Sequence, residues 1–234
     1  MKIRSRKYKT TEEQQSYWPS FVDIMTTVSL VFFFIMIVSS GINKMFVDNI
    51  VEKRQKLYTA IQTKLDENNV DKNIISFNQK TGRIEIKTET FFETNDAMLK
   101  QDGIEVANLL SPIFYELLKD PQISSEIDYI EVVGHTDYMG NTIDNRRLST
   151  DRAMSFLNTL VPMNSELEND FGHKFKASGM SEFEGFEGTS TKEQRDKTEY
   201  NDEIASKQRK IEIRMIFSDK DIEEAVKLRA AEYK

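Results

Sequence analysis

From Ile24 to Ser40 the chain carries no charge, and the residue immediately before this run is Asp23. A helix crossing the hydrocarbon core of a bilayer needs about 20 mostly apolar residues. The stretch "WPSFVDIMTTVSLVFFFIMIVSS", Trp18 to Ser40, is long and oily enough. A cleaved signal peptide has an apolar region of roughly 7 to 15 residues followed by a small-residue cleavage site. Here the run is longer and leads into "GINKMFVDNIVEKRQKL", which reads as more helix. The expectation is an uncleaved transmembrane helix over residues 18–41, with Pro19 in its first turn, where a missing amide hydrogen costs nothing.

The flanks set the expected orientation. Residues 1–17 form a basic tail with Lys2, Arg4, Arg6, Lys7 and Lys9 against Glu12 and Glu13, whereas the whole chain carries −7. Basic residues stay on the cytoplasmic side, so a cytoplasmic N-terminus and an acidic part across the membrane are expected. The absence of cysteine leaves no disulfide framework and no thiolate metal site. The negative charge gives no support to a nucleic-acid partner. No Ser/His/Asp order, phosphate loop or metal-ligand spacing occurs, so the sequence supports neither an enzyme nor a cofactor.

After the span, Ile42, Phe46, Ile50, Leu57, Ile61 and Leu65 recur at helical steps and form one stripe. Residues 42–73 are therefore expected to be an amphipathic linker helix. The stripe suits a parallel dimer, with folding back on the chain's own domain as the alternative. Residues 74–218 alternate strands and helices, which predicts a two-layer α/β sandwich. "RIEIK", "IDYIEVVGH", "KFKASG" and "KQRKIEIRMIF" read as strands. "DAMLKQDGIEVANLLSPIFYELLKD", interrupted by Gly103 and Pro112, and "RRLSTDRAMSFLNTLV" read as helices. Residues 180–203 read as a long acidic loop, and 219–234 as a C-terminal helix.

The run "VVGHTDYMGNTIDNRRLSTDRA" resembles the peptidoglycan-binding domain shared by the C-terminal region of OmpA, Pal and the flagellar stator protein MotB. Gly134, His135, Thr136 and Asp137 match its G-H-T-D, and Asn145, Leu148, Ser149, Arg152 and Ala153 match its N-x-x-L-S-x-x-R-A. "QRKIEIR" stands where the family has N-R-R-x-E-I-R, with Gln208 and Lys210 as departures. "FFETNDAML" is similar to the family's entry to the first helix, and the acidic loop is a further departure. Independently, the span resembles that of MotB-type stator subunits, in which an aspartate followed by M-T carries protons. The short linker and the Trp-Pro entry look most like the stator-like membrane subunits of Zorya anti-phage defence systems.

Two sites follow. An aspartate at the centre of a span costs about 2.5–3.5 kcal/mol on insertion scales, and less near an end. Lipid favours the neutral form of a carboxyl group, so Asp23 is the candidate ion carrier. Thr26 and Thr27 share its helix face and are candidates to hydrogen-bond it. One helix makes no channel, so a multi-span partner is implied. The resemblance makes this a MotA-like ring around a homodimer, driven by proton flow in the bacterial inner membrane. The second site is for peptidoglycan. A diaminopimelate stem presents an ammonium beside a carboxylate, which calls for a fixed anion and a fixed cation. The resemblance assigns these roles to Asp137 and Arg152, with Thr136 and His135 as pocket-lining candidates and Asn145 and Leu148 shaping the loop. A flagellar stator and a non-conducting tether between membrane and wall remain alternative readings.

Overall fold

The computed structural model describes residues 18–68, 70–79, 81–184 and 199–218. The basic tail, the middle of the acidic loop and the C-terminal helix expected from sequence lie outside these residues. The chain divides into two units, Met1–Glu52 and Lys53–Lys234.

The first unit contains most of helix α1, Trp18–Glu67, whose apolar side chains from Trp18 to Val38 are exposed. Asp23 is exposed on this helix. The two threonines expected to bond its carboxyl act differently. Thr26 Oγ1 donates to Val22 O at 2.7 Å and Thr27 Oγ1 to Asp23 O at 2.9 Å. A helical threonine hydroxyl finds the carbonyl one turn back more readily than a side chain on its own face.

The second unit is built on a five-stranded sheet. Its strands are β1 (Ile75–Asn78), β2 (Arg83–Lys87), β3 (Ile127–His135), β4 (Phe175–Ser181) and β5 (Lys210–Phe217), in the order β1-β2-β5-β3-β4. Only β3 and β4 pair in parallel. The last strand in sequence is thus the middle strand in space, antiparallel to both β2 and β3. Alternation puts Ile84, Ile86, Ile130, Val132, Ile211, Ile213 and Met215 on one face, all buried. Helices α2 (Gln101–Lys119) and α4 (Thr142–Leu160) pack there through Leu110, Phe114, Leu118, Ala153, Phe156 and Leu160. Shorter helices α3 (Pro121–Glu126), α5 (Glu166–Phe171) and α6 (Asp202–Gln208) complete the unit. A long apolar helix followed by a mixed α/β sandwich is the fold class expected from sequence.

Several details differ from expectation. The second half of the linker stripe belongs to this core rather than to a second chain. Leu57, Ile61 and Leu65 are buried in it, and Tyr58 sits edge-on to Phe77 and Phe217 at 5.6 and 6.1 Å. Arg54 stacks 4.6 Å from the Phe217 ring, and Lys53 pairs with Glu126 at 3.0 Å. The compact unit accordingly starts at Lys53 rather than at residue 74. Helix α2 runs straight through Pro112, because its buried face outweighs one lost backbone bond. It begins at Gln101 rather than at Asp96, since the Asp96 carboxylate accepts from the amides of Ala97 (2.7 Å) and Met98 (3.0 Å) and holds a turn. The last two residues of the expected acidic loop open helix α6, which is capped by Asn201 and runs on to Gln208 into the expected last strand, so that β5 starts only at Lys210.

Candidate binding cleft at the end of the third strand

Strand β3 ends at His135, and the chain turns through Thr136–Asn141 into α4. Two glycines bring this helix close to the sheet. A Cβ on Gly134 would lie 2.0 Å from Ser149 O, and one on Gly179 would lie 2.5 Å from Ser149 Oγ. Only glycine lets strand and helix approach so closely. The Ser149 hydroxyl accepts from the Ser181 amide at 3.1 Å and ties α4 to the end of β4. Asn145 fixes the turn: its Nδ2 donates to Met139 O at 2.8 Å and to Asp137 O at 3.4 Å.

Above this junction is a cleft of about 1070 Å³. Of the residues singled out from sequence, Asp137, Arg152, Thr136, Asn145 and Leu148 all line it. His135 does not. Strand alternation turns it to the opposite face from Gly134, where it is buried with Nε2 3.7 Å from Glu212 Oε2, and among the described residues its ring nitrogens have no partner within hydrogen-bond distance. The Thr136 hydroxyl, also buried, has no hydrogen-bond partner among the described residues either.

Asp137 and Arg152 share the cleft without bonding each other. Arg152 is almost fully buried: Nε donates to Asp96 O at 2.9 Å, Nη2 donates to Glu93 O at 3.1 Å, and the guanidinium lies 5.0 Å from the Phe92 ring. The cation is thus held in one orientation by the loop before α2. Burial pulls its pKa below the ordinary arginine value and the nearby Arg209 charge adds to this, while Asp137 and Asp96 oppose it. Asp137 Oδ1 accepts from the Met139 amide at 3.0 Å, and Oδ2 accepts from Arg209 Nη1 at 2.9 Å. Burial works against the Arg209 charge, but its bonds to Asp137, Tyr200 and Asp202 raise its pKa.

Sequence reasoning missed Arg209, Tyr200 and Asp202 as cleft residues. Arg209 matches the first arginine of the family's last motif, so a signal was present. Tyr200 and Asp202 stood in what read as loop. They are placed by Tyr138, which is buried beneath them. Its hydroxyl donates to Glu199 O at 2.9 Å and accepts from the Asn201 amide at 2.7 Å, and its own amide donates to Gln208 Oε1 at 2.9 Å.

On the other face of the sheet, His135, Glu184 and Glu212 bring their donor atoms within 4.8 Å of one another, the spacing of a metal site. The charges there belong to the protein. Arg214 Nη2 contacts both carboxylates, Lys210 Nζ lies 2.6 Å from Glu212 Oε1, and Arg83 Nη1 lies 3.4 Å from Glu212 Oε2. Arg214, Lys210 and Arg83 already neutralise these carboxylates, which leaves little negative charge to hold a metal ion. Burial alone would raise the Glu212 carboxyl; its contacts with His135 and Lys210 reverse this and hold it well below the usual range.

No protein-family model and no curated protein sequence matches the chain. Solved structures do. A MotB-like protein from Desulfovibrio vulgaris is 18% identical, with a TM-score of 0.51 over 72% of this chain and 98% of the other. The periplasmic domain of Helicobacter pylori MotB (residues 78-256) is 15% identical, with a TM-score of 0.47 over 65% of this chain and 86% of the other. The cell wall anchor of the T6SS from Pseudomonas aeruginosa is 17% identical, with a TM-score of 0.45 over 68% of this chain and 97% of the other. At 18% identity the likeness to the Desulfovibrio vulgaris protein is one of fold.

Proposed function

We propose that this chain is a peptidoglycan-anchored stator subunit of a proton-driven rotary motor in a bacterial inner membrane. The observation that carries the reading is a cleft holding Asp137 and a fixed Arg152, on the same chain as an apolar helical stretch, Trp18 to Ser40, whose single acid is Asp23. The fold shared with a MotB-like protein supports it. Asp137 receives the ammonium of a diaminopimelate stem, and Arg152 receives the carboxylate through donors not used by Glu93 and Asp96. Planar guanidinium is suited to such paired recognition.

In this reading Asp23 takes up and releases protons at the boundary with a MotA-like multi-span subunit, arranged as a ring around two copies of this chain. A charge crossing the membrane potential delivers about 2.3 kcal/mol per 100 mV. Leu57, Ile61 and Leu65 are already covered within one chain, so in this reading the two copies do not pair through them. The short linker and Trp-Pro entry favour a role in anti-phage defence, as a ZorB-type subunit, over flagellar rotation. The chain is single-pass, with its N-terminus in the cytoplasm and its α/β unit in the periplasm.

Replacing Asp23 with asparagine tests the motor. With the multi-span partner co-expressed, proton uptake into vesicles should be abolished while the complex still assembles. A chain that keeps its biological activity after Asp23→Asn is a non-conducting tether, and the motor reading fails. Purification that recovers the chain as a monomer without a membrane partner would equally defeat it.

A further inference from the structure

The two carbonyls that grip Arg152 are the ends of a single turn. Arg152 Nε donates to Asp96 O at 2.9 Å and Nη2 to Glu93 O at 3.1 Å. The Asp96 amide itself donates to Glu93 O at 3.1 Å. The third residue of this turn is Asn95, at φ +57°, a position that takes glycine or asparagine. The Asp96 side chain faces its own backbone: Oδ1 accepts from the amides of Ala97 at 2.7 Å and Met98 at 3.0 Å. A bond to the amide two residues on locks the local backbone, and here that backbone carries the carbonyl that meets Nε. Nε and Nη2 form one edge of the planar guanidinium, so the turn takes that edge and leaves the Nη1–Nη2 edge for a ligand.

We propose that Asp96 is a positioning residue of the cleft: its side chain, closed on the amides of Ala97 and Met98, aims the Asp96 carbonyl at Arg152 and so fixes which edge of the guanidinium faces the ligand. This rests on the wall-binding reading and adds to it a residue that acts through Arg152 rather than on the ligand. The role belongs to acceptor geometry rather than to charge. A carboxylate turned onto Arg152 would repel a ligand carboxylate, whereas a carbonyl dipole holds the cation without adding net charge. The closed turn thus directs the carbonyl and keeps the carboxylate occupied with its own amides. Asparagine offers the same short acceptor. Glutamate keeps the charge but is one methylene too long to close the same turn.

The test uses the full chain in detergent with isotopically labelled arginine. Wild type should show the Arg152 Nε–H as a slowly exchanging magnetic-resonance signal, as a buried, bonded N–H does, identified by its loss in Arg152→Lys. Asp96→Ala should lose that protection and weaken pull-down on diaminopimelate-containing sacculi by about tenfold, the scale of one hydrogen bond to a charged group, with little change in melting temperature. Asp96→Glu should do the same although its charge is kept, and serves if the alanine variant does not fold. Asp96→Asn should retain both the signal and the binding. An asparagine variant as weak as alanine makes charge the cause and overturns the proposal. So does an alanine variant that keeps the signal or binds like wild type, or a wild type whose Nε–H exchanges freely. A folded wild type that shows the protected signal but binds no sacculi defeats the wall-binding reading and leaves the hold on Arg152 intact.

Discussion

Arg152 offers five N–H donors, of which Nε and one Nη2 hydrogen are taken by backbone carbonyls of the loop before α2. Lysine cannot keep both carbonyls and still face a ligand with a fork. Arg152→Lys should therefore weaken pull-down on peptidoglycan sacculi about as severely as Arg152→Ala, with little change in the melting temperature of the lysine variant. Glu212 belongs to stability instead. Its folded pKa is depressed, so its contribution is complete above the unfolded value of 4.5 and declines as pH falls below that towards the folded value. Melting temperatures should thus fall on acidification below about pH 4.5, and Glu212→Gln should flatten that slope. Removing one member of a buried charge cluster costs about 3–5 kcal/mol, so the variant should also be much less stable at neutral pH. At this scale Asp137 and Arg152 were legible because short motifs mark them. The pairing of Asp137 with Arg209 spans 72 positions, and only the sheet brings the two together.

The last turns of α1 show what a periodic stripe does and does not say. Steps of four through Leu57, Ile61 and Leu65 promised a buried face, and it is buried. Nothing in the spacing named the surface that covers it, and a narrow stripe serves a second copy as well as a sheet. Ile61 is fully buried, so Ile61→Ala should cost about 2–5 kcal/mol, measured by denaturant unfolding of the second unit. A stripe used only between chains would leave the stability of that unit unchanged. Gly134→Ala tests the junction at the cleft. Its methyl would meet a backbone carbonyl 2.0 Å away, so α4 must shift, and both stability and sacculus binding should fall. Strand β1, at four residues, and α6, at seven, were too short to rise above local composition. Their positions come from pairing with β2 and from docking over Tyr138.

At the scale of the whole chain, the division after Glu52 has a practical meaning. A fragment starting at Lys53 should be a cooperative folding unit. One starting at residue 74 lacks four core side chains from α1, among them Tyr58, and should melt lower or aggregate. Circular dichroism of the two fragments checks this. The two-layer architecture was readable because alternating strands and helices admit few arrangements, whereas the strand order was not, since no local pattern says which strands are neighbours. That order carries a consequence for biogenesis. Strand β5 fills the centre of the sheet but is the last to be made. Until it is delivered, β2 and β3 each present a raw hydrogen-bonding edge, and such edges recruit other chains. A product cut short before Lys210 is thus more than an inactive remnant: it is a sticky half-sheet that a cell must hold apart or destroy.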